Sequence, residues 1–380
     1  MKVILGGDFY GGRGVDSLIN NTATSLVDEK ILAQFRSADL AILNLESPLT
    51  FSNHPIKKSG PAIKATTEVG IFIKKLGINL VTLANNHILD FGDEGLQDTL
   101  NTLDKIKLPY VGAGLDIERA KSPFIFEMSH KKLAILNFCE NEWSTTHGNY
   151  PGANPIDEIE NYNQIKKAKA QVDYLLVVVH GGHELYNLPS PRVRKLYRFY
   201  AEIGADAVVG HHTHWTSGFE VYNGVPIFYS LGNFLFNNQA FKNKNWNKGM
   251  LLSLNFSQSP CAFKLTHFDQ CNYKIGVESV SAEVSNIRDK EIEGLNKVIQ
   301  SDSKLLESYY SWLISNQKQY KAFLEPHTNR YIQFLQTRKL LPSFWSNRKR
   351  IFLLNLIRCE AHRDAVVHIL ENEINSKIHK

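Results

Sequence analysis

The residues best able to do chemistry in this chain are oxygen and imidazole donors that recur after short apolar runs. Asp8 follows Lys2–Gly7, Glu46 follows Leu40–Leu45 within Asn44-Leu45-Glu46, and Asn85-Asn86-His87 follows Asn79–Ala84. His180 follows Tyr174–Val179 and opens Gly181-Gly182-His183-Glu184, while Ala207–Val209 runs into Gly210-His211-His212-Thr213-His214. Taken singly, each is bland. An Asp after a strand is most often a turn former or a helix cap, and a lone buried His is usually a hydrogen-bonded core residue. His212-Thr213-His214 is more pointed, because alternate residues of an extended chain share a side. Coincidence at five strand ends outweighs the separate bland readings. The donors are nitrogen and oxygen with no thiolate, which suits one or two ions of manganese, zinc or iron; a structural zinc would more often use cysteine. With one bridging carboxylate, six such residues suffice for two divalent ions about 3.5–4 Å apart, the spacing of hydrolytic displacement at phosphorus.

Positioning these donors requires strands, and the first two-thirds of the chain supplies them. Besides the five above, Leu133–Phe138 and Pro226–Ser230 read as strands, and several of the seven are apolar almost throughout, as strands covered on both faces are. Helices are expected between them at about Ser25–Ser37, Thr67–Leu76, Asp93–Ile106, Asp157–Ala170 and Pro191–Ile203. This alternation gives an α/β fold, and it hands all five donor groups to one edge of a sheet, where open α/β sheets bind ligands. From Cys261 to Val284 the pattern is strand-like, and beyond Asp289 it is helical and richer in Lys and Arg. Ile351–Ile374 has the apolar spacing of an amphipathic helix.

Composition excludes several classes. A net charge of +5 over 380 residues allows an anionic substrate but is far from the basic stripe of a nucleic-acid binder. No run is long enough for a transmembrane segment, and no signal-peptide core follows Met1. Four cysteines (Cys139, Cys261, Cys271, Cys359) without a CxxC fit reduced thiols. A cytoplasmic protein is expected, with recruitment to the inner membrane face left open. Lys339–Arg350, with Phe344 and Trp345 among four basic residues, reads as a solvated basic face, with contact to a membrane surface or an anionic polymer as the sharper alternative.

As an ordered set, Gly7-Asp8…Gly12-Arg13, Asn44-Leu45-Glu46, Asn85-Asn86-His87…Asp90, His180-Gly181-Gly182-His183-Glu184, Gly210-His211-His212-Thr213-His214 and Ser230-Leu231-Gly232-Asn233-Phe234 resemble the CapA (poly-γ-glutamate capsule biosynthesis) family. That family is itself similar to calcineurin-like metallophosphoesterases. The resemblance covers about residues 1–255. It implies a four-layer αββα sandwich over 1–255, followed by a strand-then-helix, mainly helical extension over 256–380. It also implies that Asp8 binds a first metal, Glu46 bridges, Asn86 and His180 bind a second, and His212 and His214 are divided between the two. His87 is implied as the general acid, oriented by Asp90, with Arg13 clamping an anionic group. Two positions depart from the phosphoesterase pattern: Tyr10 stands where a His ligand is usual, and Glu46 where Asp is usual.

The function implied is a metal-dependent, phosphoesterase-like hydrolase in the making or processing of a capsular or other extracellular polymer. Its partners would be an anionic polymer or a phosphorylated small molecule, and a polymer synthase. A rival expectation is a non-catalytic accessory subunit of a synthase or export complex.

Overall fold

The computed structural model describes residues 1–22, 26–58, 60–241, 245–258, 260–272, 274–324, 329–347, 350 and 353. In chain order the strands are β1 (Lys2–Tyr10), β2 (Leu40–Leu45), β3 (Leu80–Thr82), β4 (Tyr110–Val111), β5 (Ala113–Gly114), β6 (Phe124–Met128), β7 (Lys131–Cys139) and β8 (Gly152–Ala153). They continue with β9 (Tyr174–His180), β10 (Ala207–His211), β11 (Phe219–Tyr222), β12 (Val225–Phe228), β13 (Asn233–Phe236), β14 (Lys248–Asn255), β15 (Ala262–Gln270) and β16 (Val277–Ser279). The α-helices are α1 (Val15–Thr22), α2 (Glu29–Arg36), α3 (Glu68–Lys75), α4 (Gly92–Lys105), α5 (Ile117–Ala120), α6 (Glu158–Lys169), α7 (Pro191–Ile203), α8 (Ala282–Ile299), α9 (Asp302–Leu324) and α10 (Arg330–Thr337).

Two large sheets carry the fold. One runs β16-β15-β14-β1-β2-β3-β4 with β13 also paired to β1, and the other runs β11-β12-β10-β9-β7-β6. Alternation explains how they meet. Val3, Leu5, Leu40, Ile42 and Leu80 on one face of the first sheet pack with Ile135, Leu176, Val178, Ala207 and Val209 of the second. The opposite face of the first sheet (Ile4, Leu43, Val81) packs on Ile31 and Phe35 of α2, Val69 and Phe72 of α3, and Leu96 of α4. The second sheet is backed by α6 and α7, which contact β7, β9, β10 and β12. The result is the four-layer αββα sandwich. The central strands are buried on both faces, which is why their sequences are continuously apolar.

The helix expected at Pro191–Ile203 has those bounds because its local signals agree. Ser190 caps it by accepting from the Val193 amide, Pro191 sits in the first turn, and Gly204 ends it at φ 133. Two expectations need correction. The five donor strands do not share one sheet: β1, β2 and β3 lie in the first, β9 and β10 in the second. Nor does the chain divide at 255. β14 pairs with β15 across that point from Lys248–Asp269 to Asn255–Ala262, so the first sheet continues through it. The two compact units are Met1–Leu306 and Glu307–Lys380. In the second unit the described residues are helical over the rest of α9 and over α10, and Tyr331 and Phe334 are exposed. The helix expected at Ile351–Ile374 lies outside the described residues except for Leu353. Among the described residues, no helix is long and apolar enough to cross a membrane.

Candidate metal centre

Register aligns the donors before any side chain is considered. Asp8 of β1 pairs with Asn44 of β2, and Asn44 pairs with Thr82 of β3. In the second sheet His180 of β9 pairs with both Cys139 of β7 and His211 of β10. β1 does not end at Gly7, as its sequence suggested, but runs to Tyr10. It pairs with β14 over Lys2–Leu5, then with β13 from Asp8, with a register shift after Asp8. Gly7 permits the exchange of partners, since a Cβ there would lie 1.8 Å from the Gly232 carbonyl oxygen.

The six expected ligands, Asp8, Glu46, Asn86, His180, His212 and His214, form one buried cluster at the carboxyl ends of strands from both sheets. Two donor groups share Glu46: Glu46, His180 and His212 in one, Asp8, Glu46 and His214 in the other, each with ligand atoms within 4.8 Å of one another. Asn86 joins the first group, its Oδ1 lying 3.1 Å from His180 Nε2. His180 Nε2 also faces His212 Nδ1 at 3.0 Å and Glu46 Oε1 at 3.7 Å. His214 Nε2 faces the same Glu46 oxygen at 3.7 Å. His212 and His214 sit at φ 91 and 59, a region that costs a non-glycine residue about 1–3 kcal/mol.

Electrostatics separates the two carboxylates. Burial disfavours the charge on Asp8, but the adjoining His211, together with His180 and His214, outweighs it and holds the carboxyl well below the usual range. Asp8 is also well served by donors: the Asn44 amide at 2.8 Å and the His212 backbone N–H at 3.1 Å. Glu46 is not. Both of its oxygens are buried without a hydrogen-bond partner, and burial, reinforced by repulsion from Asp8, pushes its pKa well above 4.5. Burial likewise lowers the pKa of His180, with a further contribution from His212, and burial lowers that of His214. An uncompensated buried carboxylate costs several kcal/mol. With the imidazoles of His180 and His214 and an amide oxygen, it makes a donor set suited to a cation. The residues present therefore fit one or two divalent ions.

Around the cluster lie partners that the sequence did not single out. Asn44 ties Asp8 Oδ1 to His180 Nδ1, at 2.8 and 3.2 Å. Asn233 faces His214 Nδ1 through its side-chain oxygen at 2.9 Å. Glu142, on the segment after β7, accepts from the Asn86 amide at 3.1 Å and lies 3.7 Å from His212 Nε2. His211, which strand alternation sends away from His212, still lies 3.3 Å from Asp8 Oδ1, without hydrogen-bond alignment. Tyr10 is no ligand: it packs on Phe236, in an apolar cluster with Ile63 and Trp246.

His87 and Asp90 adjoin this centre through Asn86. His87 Nδ1 lies 2.6 Å from Asp90 Oδ2, and Lys58 Nζ lies 2.5 Å from Asp90 Oδ1. Arg13 is exposed in the turn after β1 at φ 52, with its carbonyl accepting from the Asn237 amide.

Fold and site together define an α/β sandwich protein with a candidate two-site cation centre between the ends of its facing sheets. The chain belongs to the family described as bacterial capsule synthesis protein PGA_cap, whose model matches residues 2–238. It is 34% identical over 235 residues to the PGA biosynthesis protein CapA of Bacillus subtilis (strain 168), covering 60% of this chain and 62% of that one. Against the capsule biosynthesis protein CapA of Bacillus anthracis it is 31% identical over 239 residues, covering 60% and 58%. The match to a "Probable polyglutamine synthesis accessory protein" of Mycobacterium tuberculosis (strain ATCC 25618 / H37Rv) is 24% over 278 residues, 61% of this chain and 73% of that one. The chain thus spans about three-fifths of the length of the two Bacillus relatives. Among solved structures, a phosphatase of Mycoplasma pneumoniae aligns with TM-score 0.45 and 16% identity, covering 75% of this chain and 96% of that one.

Proposed function

We propose that this protein is a metal-dependent hydrolase of a phosphoester or a related anionic ester or amide, acting in the making or processing of a capsular polymer such as poly-γ-glutamate. The observation that carries the reading is Glu46: a fully buried carboxylate, unpartnered at both oxygens, shared by two groups of metal-competent donors.

Asp8 and His214, with Glu46, would hold one ion, and Asn86, His180 and His212, with Glu46, the other. Divalent ions there supply Lewis acidity toward an anionic group and make water a nucleophile near neutral pH. The chain's own residues would do the rest. Asp90 accepts from His87 Nδ1 and orients the ring. His87 would then hand a proton to the leaving group from its other nitrogen. Arg13, exposed on a turn, is suited to binding an anionic group of a polymer or a phosphorylated small molecule through its planar fork. A manganese, zinc or iron pair would serve.

One observation favours a second reading, a non-catalytic accessory subunit of a polymer synthase. Tyr10 packs its ring into an apolar cluster where hydrolases of this type place a ligand, which leaves the Asp8 group with fewer donors.

Elemental analysis of the purified protein, beside a His212→Ala/Asn86→Ala double variant, tests the choice. Close to two equivalents of metal, lost in the variant, with turnover of a phosphomonoester, phosphodiester or γ-glutamyl substrate, would support the hydrolase. Metal without turnover of any such substrate would favour the accessory subunit. No metal after reconstitution would sink both the centre and the hydrolase.

A further inference from the structure

We propose that Lys58 is a positioning residue of this centre, clamping the turn that carries Asn86 and His87 from a loop that crosses over it. The inference rests on the hydrolase reading only for its catalytic arm. Its metal-binding arm stands on the donor cluster.

Between β2 and α3, the described residues of 50–65 (all but 59) form no helix or strand except an isolated bridge of Ala65 to Leu49. A stretch of that length without secondary structure is uncommon inside a compact unit and is often functional. This one is fastened to Asp90. The Ile63 amide donates to Asp90 Oδ2 at 2.7 Å, the Ile56 amide to the Asp90 carbonyl at 2.9 Å, and Lys58 Nζ to Asp90 Oδ1 at 2.5 Å. The Lys58 side chain is 3% exposed, so its ammonium is taken almost wholly out of water. A lysine is seldom buried like this, because its stem can usually carry the charge out to solvent.

What it reaches explains the placement. Besides Asp90, Nζ donates to the backbone oxygen of Asn86 at 3.2 Å and lies 3.4 Å from His87 Nδ1. Lys58 therefore holds both ends of one tight segment: the carbonyl of a ligand residue and the carboxylate that orients His87. Asp90 Oδ2 is left to His87 and the Ile63 amide because Oδ1 is taken by the lysine. Asn86 must in turn aim Oδ1 at the point where His180, His212 and Glu46 converge. Groups that orient ligands in this way are worth about 10–100-fold in metal affinity or activity when removed. Seating the loop and completing the centre thus become one event.

The test compares wild type, Lys58→Met, which keeps the stem and removes the charge, and Lys58→Arg, which keeps a donor. Each full-length protein is stripped of metal, titrated with Mn2+ under paramagnetic resonance, and assayed on aryl phosphates of graded leaving-group basicity. The expected result for Lys58→Met is about 10–100-fold weaker binding of one Mn2+, with the other held as in wild type. A loss of kcat that grows with leaving-group basicity should accompany it, with KM little changed. Lys58→Arg should recover part of both. Should Lys58→Met unfold, Lys58→Gln, which removes the charge and shortens the stem, carries the test: wild-type affinity for both ions together with a wild-type leaving-group slope would count against the clamp.

Equal weakening of both ions, or a fall in melting temperature with Mn2+ affinities and leaving-group slope unchanged, would make Lys58 merely structural and overturn the proposal. If wild type binds two Mn2+ but turns over nothing, the hydrolase reading fails while the selective loss in Lys58→Met still decides the clamp. If wild type binds no Mn2+, both fall.

Discussion

His214 Nδ1 donates to the side-chain oxygen of Asn233 at 2.9 Å, and this leaves Nε2 as the ring nitrogen facing Glu46. The orientation of the amide is fixed by its other half: Asn233 Nδ2 donates to the carbonyls of Trp246, at 3.1 Å, and His214, at 3.4 Å. With the nitrogen so engaged, the oxygen must face the ring, and Nδ1 must carry the proton. The Trp246 ring, 4.5 Å from the imidazole, and the edge of Phe236 close the remaining sides.

Replacing Asn233 by Leu should therefore release the wrong tautomer while leaving the apolar packing filled. Metal affinity at the Asp8–Glu46–His214 group should fall by about 10–100-fold. Calorimetric titration of the stripped protein would show it. Unchanged affinity at both positions would mean that Asn233 only supports the strand.

Glu46→Gln should separate stability from metal binding. In the metal-free protein the buried, unpartnered carboxylate is a liability, so the amide should raise the melting temperature while abolishing at least one equivalent of bound metal. The sign of the pH effect follows. The folded pKa of Glu46 lies above its ordinary 4.5, so its contribution is most favourable below 4.5 and is lost as pH rises toward the folded pKa. Asp8 acts oppositely: its folded pKa lies below 3.8, so its contribution is present above 3.8 and is lost as the medium becomes more acidic. The lowered pKa values of His180 and His214 act the other way below 6.5, so Glu46 is read from the difference: Glu46→Gln should gain stability over metal-free wild type as pH climbs above the ordinary carboxylate range. Thermal scans with chelator from pH 4.5 to about 8 would measure both.

His87→Gln should leave metal content intact and lower kcat by about 10²–10⁴-fold, the range of a lost general acid. Elemental analysis beside steady-state kinetics reads the two independently. Loss of metal in this variant would move His87 from proton transfer into the architecture of the centre.

Gly7→Ala should harm folding before it harms chemistry. A Cβ 1.8 Å from the Gly232 oxygen cannot be accommodated by a side-chain shift, because the obstacle is backbone. A destabilisation of about 1–3 kcal/mol or more is expected from chemical denaturation. A wild-type midpoint would show that β13 can move off β1.

Where strands are buried on both faces, the sequence announces them: Leu40–Leu45 has the bounds read from its apolar run, and Pro191–Ile203 those given by its cap, proline and terminal glycine. Ligand-type residues at strand ends were legible for the same reason, since polarity breaks an apolar run abruptly. Sheet membership was not. Donors from β1–β3 and from β9–β10 look alike in sequence, and only long-range pairing assigns them to different sheets. Residues 256–279 were separated from the first domain because the resemblance covers only about 1–255; their strand-like pattern was legible, but that β15 and β16 extend the first sheet depends on pairing with β14, which local pattern does not carry. Lys58 and Glu142 carried no signal at all. Each lies on an irregular segment without periodicity, and each acquires meaning only from what the fold sets beside it.

The centre draws its donors from both halves of the sandwich: Asp8, Glu46 and Asn86 from the first sheet and its loops, His180, His212 and His214 from the second. An ion held there would act as a rivet between layers that apolar contact and a few hydrogen bonds, such as His212 N–H to Asp8, already join, and its binding energy would add directly to the resistance of the sandwich to opening. Metal supply would then govern how long the protein survives in the cell as well as whether it works. A starved cell would hold a looser, more degradable population, and abundance would track the free ion concentration even for variants with no turnover.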